Sequence, residues 1–248
     1  MDTIYCLPEG SHILVTGGNG FVASNVTQTL LELGFKVRGT VRTPKPWLDE
    51  MFKARFGDDS FQSVVVADFD DIHTLAGVME DVSGVAHVAS DVSFEANPER
   101  VISWAVRAVQ NVLEAASTVP SIQRVVLTSS GVSATTPKFN KGAITIYEQY
   151  VVDVVDIARL HAVAILDPKV VSQRLFGYAS PLNLTEIITI LRRLRPDNDQ
   201  LPDAPEADWH DQSTILPAKH AERLLQEFCG KEGWTSAEDS IAEGIKGC

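Results

Sequence analysis

The chain has 248 residues, 44% of them apolar and 22% charged, so it can bury a sizeable core as one large domain or one domain plus a small lobe. Its 33 acidic residues outnumber 21 basic ones, and the net charge of -12 argues against a general affinity for nucleic acid or an anionic membrane. The 3 cysteines include no Cys-x-x-Cys pair, which argues against a disulfide framework and indicates a reducing compartment.

Other simple classes are also disfavoured. The first ten residues, MDTIYCLPEG, lack the basic segment and apolar stretch of a signal peptide, and nowhere do 18 apolar residues run together. We therefore expect a cytoplasmic protein with no membrane partner. The histidines show no His-x-His or His-Glu-x-x-His spacing, so no metal site is expected. Gly-x-Ser-x-Gly is also absent, which removes the simplest hydrolase interpretation.

The stretch SHILVTGGNGFVASN has the pattern of strand, glycine turn and helix. An apolar run at 13–15 predicts a buried strand, and apolar residues at helical spacing from Val22 onward predict a helix. Between them, Gly17, Gly20 and Ala23 form Gly-x-x-Gly-x-x-Ala, a variant of the dinucleotide-binding fingerprint. The glycines allow a tight turn and close approach of a pyrophosphate, and the helix N-terminus attracts the anion. An ordinary tight turn is the alternative.

The end of the second predicted strand carries positive charge. After Gly34, which can stop the first helix, the run at 35–41 reads as a strand. Where NAD-specific folds place an acidic side chain for the ribose, this chain has Arg38, Arg42 and Lys45. Cations there suit a 2′-phosphate, so NADP is favoured over NAD. A solvated basic edge is the alternative.

Strands and helices continue to alternate through the first half of the chain. Helices are predicted at 47–56, 70–80 and 98–117, and strands at 61–67, 84–88 and 124–128. This pattern predicts an α/β fold with a doubly wound, Rossmann-type parallel sheet and helices on both faces. The carboxyl ends of its strands gather the glycine turn with Arg42, Asp68, Ala89, Ser90 and Ser130.

The last third reads as a small, mostly helical lobe. Asn183 can cap a helix that begins at Leu184, a proline-containing acidic loop follows at 196–212, and a second helix ends at Gly230. We expect a dinucleotide-binding domain at 1–140 and a truncated substrate lobe at 141–248. His161 is expected on a helix surface, and Asn111 is expected to be solvated or bonded to the backbone.

With these residues assembled, the chain resembles the extended short-chain dehydrogenase/reductases of the NAD-dependent epimerase/dehydratase superfamily. It is most similar to the branch of dihydroflavonol reductases, cinnamoyl-CoA reductases and fungal NADPH-dependent aldehyde and ketone reductases. The matching segments span most of the chain and are LVTGGNGFVASNV, VRGTVR, VADFDD, GVAHVAS, NVLEAA, RVVLTSSGV, YVVDVVDIARLHAVAILDP and GWTSAEDSI.

The resemblance implies a role for each matching position. The residues implied to hold the pyrophosphate of NADP are Gly17, Gly20 and Ala23, and Phe21 is also implied to contact the cofactor. Those implied at the 2′-phosphate, the adenine and the remaining cofactor wall are Arg42 with Arg38 and Lys45, then Asp68, then Ala89 and Ser90. Ser130 corresponds to the serine that hydrogen-bonds the substrate carbonyl. In that chemistry a tyrosine donates a proton, and a lysine four residues later lowers its pKa.

The tyrosine and lysine of that chemistry are absent from the sequence. No tyrosine is followed four residues later by lysine, and the chain passes from the segment at 136–146 directly into YVVDVVDIA. The resemblance implies that the family's YxxxK helix and sixth strand lie in the segment missing between them. Tyr147 or Tyr150, with Lys141 nearby in sequence, is a candidate substitute, and simple packing is the alternative.

Three interpretations remain open from the sequence. The chain is an NADP-dependent reductase acting on a ketone or aldehyde of a small, secondary-metabolite-like substrate, with a non-standard proton donor. Alternatively, it is an inactive NADP-binding pseudo-enzyme that acts as a sensor or scaffold. The third interpretation is a truncated product of a full-length reductase gene.

Overall fold

The structure, a computed structural model, describes residues 5–93, 95–133, 149–206, 208 and 214–247. The chain divides into two units, one formed by 1–128 with 161–173 and the other by 129–160 with 174–248. This differs from the single boundary expected at 140, because residues 161–173 return to the first unit. There the backbone N–H of Cys6 donates to the carbonyl of Leu166 at 2.8 Å.

The first unit is a five-stranded parallel sheet with strand order β3-β2-β1-β4-β5. Its elements in chain order are β1 (His12–Val15), α1 (Phe21–Glu32), β2 (Lys36–Val41), α2 (Pro46–Phe56), β3 (Phe61–Val65), α3 (Ile72–Val78), β4 (Val82–His87), α4 (Pro98–Thr118) and β5 (Arg124–Leu127). Parallel strands joined by helices in this order form a Rossmann-type α/β fold, which confirms the predicted fold class.

Local signals in the sequence account for the helix ends. Gly34 follows α1 with φ of +83°, a conformation that a side chain disfavours. At the start of α3, the Asp71 carboxylate accepts hydrogen bonds from the N–H groups of His73 and Thr74. α4 begins after Asn97, whose side chain accepts from the N–H of Arg100. These caps satisfy backbone donors that a helix leaves unpaired.

The core beneath one face of the sheet packs α3 and α4 against β1 and β4. Its fully buried members include Leu14, Leu75, Val85 and Val112. Burying such side chains contributes roughly 1.5–3 kcal/mol each. The strands therefore hold a fixed register, and the residues that follow each strand are presented at one edge.

Among the described residues, β5 is an outer strand of the sheet and pairs only with β4. Leu127, its last residue, is 42% exposed although leucine favours the interior. This is the edge where the truncated-product interpretation places the missing sixth strand.

The described part of the second unit contains a two-stranded antiparallel sheet and three complete α-helices. These are β6 (Gln149–Val151), β7 (Ser180–Leu182), α6 (Leu184–Leu194), α7 (Ala218–Cys229) and α8 (Ala237–Gly244). Another helix, α5 (Val154–Leu166), begins in this unit. The predicted cap of α6 is present, since Asn183 Oδ1 accepts from the N–H of Glu186 at 2.8 Å. Strands of three residues are too short to show a period in the sequence, and β6 and β7 were not predicted.

The described ranges contain neither a membrane-spanning helix nor a metal-binding cluster. There, every helix is too short or too polar to cross a bilayer. Nor do His, Cys, Asp and Glu side chains in these ranges gather in a group of three or more that could hold a metal ion.

Candidate functional site

The turn between β1 and α1 has no room for side chains at its first two glycines. Gly17 has φ of +72°, and a Cβ added to it would lie 3.3 Å from the Cα and Cβ of Ala89. A Cβ added to Gly18 would lie 3.1 Å from the Cα of Gly39. The turn is therefore wedged between the neighbouring strand ends, and only glycine fits both the conformation at Gly17 and the space.

Hydrogen bonds fix this turn to β2. The N–H of Gly17 donates to Thr40 Oγ1 at 3.1 Å, and the N–H of Gly18 donates to the Thr40 carbonyl at 2.7 Å. The N–H of Gly20 closes the turn on the Gly17 carbonyl at 2.7 Å. A turn held in this way keeps its backbone shape without help from a ligand.

The N-terminus of α1 follows directly and is open to an anion. Its N-cap, Gly20, makes no side-chain hydrogen bond, and the first turn carries no acidic residue. Helix N-termini carry a partial positive charge and N–H groups that suit phosphate. Phe21 is 75% exposed at the first helical position, and the small Ala23 is buried where the helix lies close to the sheet.

An open groove of about 690 Å³ lies at the carboxyl ends of β2, β3 and β4, in the first unit. It is lined by two of the predicted cofactor residues, Arg42 and Asp68. Its other lining residues are Ala67, Phe69, Asp91, Ser93, Glu95, Asn97, Glu99, Arg100, Ser103, Trp104 and Arg107. The groove therefore combines aromatic walls with charges of both signs.

Two aspartates of the groove are held by local hydrogen bonds, and positive charges lie near one of them. The pKa of Asp91 is lowered first by the Ser93 hydroxyl, then by the Ser93 N–H and by the positive charges of Arg100 and Arg42. Asp68 Oδ1 accepts from the N–H of Asp70 at 3.0 Å, which fixes the loop after β3. Arg42 itself is exposed at the end of β2.

Aromatic rings pack against one another in the wall of the groove. The buried ring of Phe69 lies edge-on to His87, with centroids 5.4 Å apart, and edge-on to Trp104 at 6.4 Å. Asn111 Nδ2 donates to the Phe69 carbonyl at 2.8 Å. Asn111 is therefore bonded to the backbone, as one of its two expected roles required.

The remaining predicted cofactor residues are placed differently. Arg38 lies away from the groove, because its guanidinium donates to the carbonyls of Val78 at 2.7 Å and Glu80 at 2.9 Å, where α3 ends. Lys45 is half-buried at the start of α2. Ser90 is exposed shortly after β4, next to Ala89. The structure thus brings Ala89 to the glycine turn and does not bring Arg38 to this edge.

Ser130, the predicted catalytic serine, lies in the second unit. It is exposed, and its carbonyl accepts from the N–H of Ser133 at 3.0 Å and from the Ser133 hydroxyl at 2.7 Å. Tyr178, which the sequence analysis did not single out as a proton donor, donates its hydroxyl to the carbonyl of Gly131 at 2.7 Å. In this unit a phenol therefore lies beside the residue that follows Ser130.

Of the residues considered from the sequence as substitutes for the missing tyrosine and lysine, only Tyr150 lies among the described residues. Tyr147 and Lys141 lie outside the described residues. The ring of Tyr150 packs edge-on against Tyr178, with centroids 5.7 Å apart.

Two buried histidines lie near the strand ends of the first unit. His87 Nδ1 is 2.9 Å from Thr16 Oγ1, and burial lowers the pKa of His87 from 6.5 to about 4. His161 Nε2 is 2.7 Å from Thr128 Oγ1, and only 7% of His161 is exposed. The expected surface position of His161 is wrong, because this face of α5 is turned into the unit.

The sequence of this chain matches a family model and two reductases over long segments. The model of the NAD dependent epimerase/dehydratase family matches residues 13–153. Ketoreductase nvfG of Aspergillus novofumigatus is 34% identical, and the alignment covers 97% of each chain. Aldehyde reductase 2 of Sporidiobolus salmonicolor is 44% identical over 145 residues, which is 58% of this chain and 42% of that protein.

Solved structures share the overall fold. Yeast methylglyoxal/isovaleraldehyde reductase Gre2, solved in complex with NADPH, superposes with a TM-score of 0.75 at 18% identity, covering 95% of this chain and 97% of that one. Vestitone reductase from alfalfa gives a TM-score of 0.71 at 17% identity, with coverage of 95% and 97%.

The neutral state of His87 predicts an acid-dependent loss of stability. The unfolded chain binds a proton at His87 as the pH falls below 6.5, whereas the folded chain resists protonation until about pH 4. Stability therefore falls through this window, by about 3 kcal/mol from this group. Urea unfolding of His87→Asn from pH 7 to pH 4 is expected to show a shallower loss than the unsubstituted protein.

The exposed His73 supplies the control for this measurement. His73→Asn is expected to keep the steep loss of stability. Parallel pH curves for His87→Asn and the unsubstituted protein would contradict the assignment.

Proposed function

The chain belongs to the NAD dependent epimerase/dehydratase family, and from this premise we propose that it binds NADPH and reduces a ketone or aldehyde of a small molecule. The observation that carries the proposal is the glycine turn wedged against Ala89, followed by an uncapped helix N-terminus. Such a turn suits a pyrophosphate, whose oxygens accept hydrogen bonds from backbone N–H groups.

The groove at the same sheet edge suits the adenine and the 2′-phosphate of the dinucleotide. Arg42 lies at the end of β2, where the ribose-binding group of this fold is found, and its guanidinium suits a phosphate. Asp68 and the loop at Phe69 would line the adenine. Gly20 and Phe21 would face the pyrophosphate, with Ala89 and Ser90 on the opposite wall, and the buried Ala23 would let the helix lie close to the sheet. Arg38 is left out, because two backbone carbonyls already engage it.

The names of the relatives support a carbonyl substrate. Nearly the whole length of ketoreductase nvfG aligns with this chain, and the shorter match is an aldehyde reductase. When bound, the nicotinamide supplies a hydride to the carbonyl carbon. The protein would then supply a proton to the carbonyl oxygen and a donor that polarises it.

Ser130 and Tyr178 are the side chains that we assign to these two tasks. Ser130 is exposed and its hydroxyl can donate to a carbonyl oxygen. The Tyr178 phenol is next to the Ser130 segment through its bond to Gly131, and a phenol can release a proton to the developing alkoxide. The resulting phenolate then takes a proton from water, which returns Tyr178 to its neutral form.

A second candidate is NADPH binding without turnover, and one observation favours it. The chain contains no YxxxK, and its alignment with nvfG extends over 334 positions, more than the 248 residues present here. The relative therefore has a segment without counterpart in this chain. The same observation fits a truncated product of a longer reductase gene, which a transcript encoding YxxxK between Lys141 and Tyr150 would reveal.

Gly17→Ala tests the proposed pyrophosphate site. The new methyl group meets Ala89, so we expect NADPH affinity, measured by calorimetry, to fall at least tenfold. Gly34→Ala is a matched control, since Gly34 has φ of +83° and nothing within 4 Å of the added Cβ. It shares the backbone strain and is expected to bind NADPH normally. Unchanged affinity in Gly17→Ala would argue against a phosphate site at this turn.

Arg42→Gln tests the choice of dinucleotide. Removal of the guanidinium is expected to weaken NADPH binding by about tenfold and to leave NADH binding unchanged. Arg38→Gln serves as the control, because its loss affects contacts to Val78 and Glu80 rather than the groove. Equal effects of Arg42→Gln on both dinucleotides would remove the assignment of the 2′-phosphate to this residue.

Turnover separates the two candidate functions. The purified chain is mixed with NADPH and a panel of aldehydes and ketones, and the nicotinamide absorbance is followed. We expect turnover that falls about a hundredfold in Ser130→Ala and in Tyr178→Phe but not in Tyr150→Phe. No turnover above Ser130→Ala across the panel, with NADPH binding intact, would reject the reductase and leave the binding protein.

A further inference from the structure

Arginines and carboxylates share the groove at the carboxyl ends of β2, β3 and β4. On α4, Arg100 forms an ion pair with Glu95 at 3.2 Å, and Arg107 forms one with Asp70 at 3.4 Å. Arg42 forms no ion pair with another residue that the structure describes. The charge of Arg42 is therefore available to an incoming anion.

Asp91 reaches the same groove from β4. Gly39 in β2 and Ala86 in β4 both lie opposite Val15, on the two sides of β1. Arg42 comes three residues after Gly39, and Asp91 comes five residues after Ala86. Two strands that flank a common neighbour are about 10 Å apart, and a long arginine side chain can cover most of that distance. The two charges therefore act on the same part of the groove.

The Asp91 carboxylate is held in place and kept ionised. Its Oδ1 accepts a hydrogen bond from the N–H of Ser93 at 2.8 Å, which fixes the loop after β4. The Ser93 hydroxyl, the Ser93 N–H and then the positive charges of Arg100 and Arg42 lower the pKa of Asp91. A fixed negative charge therefore lies near the guanidinium that is proposed to hold the 2′-phosphate.

We infer that Asp91 is a specificity-determining residue that weakens binding of the 2′-phosphate and so narrows the preference of the groove for NADPH over NADH. This role rests on the proposed function. A phosphate monoester carries nearly two negative charges at neutral pH, so the carboxylate repels it and also offsets the field of Arg42. NADH has a hydroxyl in place of that phosphate. Because both dinucleotides contain the pyrophosphate, its repulsion cancels in the ratio of their affinities.

Asp91→Asn tests this role, because asparagine keeps an oxygen for the Ser93 N–H and removes the charge. By calorimetry, NADPH affinity is expected to rise about three- to tenfold, whereas NADH affinity is expected to change by less than about twofold. Added salt screens the repulsion, so the gain in NADPH affinity should shrink at high ionic strength.

Asp59→Asn is the matched control for the change in net charge. Asp59 is exposed and precedes β3, so it lies at the opposite edge of the sheet from the groove. The same substitution there is expected to leave the ratio of NADPH to NADH affinity unchanged.

A titration without ligand tests the placement of the charges separately. NMR of the Asp91 carboxyl group is expected to show a higher pKa in Arg42→Gln than in the unsubstituted protein, because a nearby positive charge is removed. Arg38→Gln is expected to leave that pKa unchanged, since the Arg38 guanidinium is engaged by the carbonyls of Val78 and Glu80. An unchanged pKa in Arg42→Gln would overturn the proposed role of Asp91.

Failure of the proposed function and failure of the Asp91 role give different results. If neither the unsubstituted protein nor Asp91→Asn binds NADPH, the proposed function fails together with the role that rests on it. If both bind NADPH and the ratio of affinities is the same in the two proteins, the Asp91 role alone is overturned. An equal change of that ratio in Asp59→Asn would also overturn it.

Discussion

Close contact between the glycine turn and two neighbouring strands is the constraint on which the first unit depends. Gly17 lies against Ala89 after β4, and Gly18 lies against Gly39 in β2. A Cβ at either position would be closer to its neighbour than ordinary van der Waals contact, so the neighbouring atoms, mostly backbone, would have to shift by a few tenths of an ångström. The result is an edge formed by backbone, where N–H groups and the start of α1 are open to an anion. The groove and its arginines extend this edge.

Local patterns explain why much of this was predictable. The strand, turn and helix around Gly17 lie within one short stretch, so spacing alone defined them. The side chain of Arg38 was harder to place, because it precedes the end of β2 by three residues and finds its partners at the end of α3. His161 belongs to a helix buried on more than one side, with Ala158, Ala162 and Ile165 all enclosed. The apolar pattern of the sequence indicates one buried face, so it could not show that His161 is buried on another.

The residues proposed for cofactor binding and those proposed for the chemical step belong to different units. The turn and the groove belong to the first unit, whereas Ser130 and Tyr178 belong to the second. The Gly-x-x-Gly-x-x-Ala pattern at 17–23 belongs to the first unit, whereas the stretch at 136–150, which contains no YxxxK, comes later in the chain. The proposed phosphate site therefore uses residues of the first unit and does not depend on the proposed proton donor in the second.

The most direct test of the central claim uses a ligand without nicotinamide. Calorimetric titration with 2′,5′-ADP measures binding through the adenosine and its 2′- and 5′-phosphates, without the nicotinamide, and the groove with Arg42 and Asp68 is proposed to hold the adenine and the 2′-phosphate. We predict saturable binding of 2′,5′-ADP at one site, and NADPH should displace the bound 2′,5′-ADP. Added salt should lower the affinity, as expected for a phosphate paired with arginine. Absence of binding at millimolar 2′,5′-ADP, with the protein folded, would contradict it.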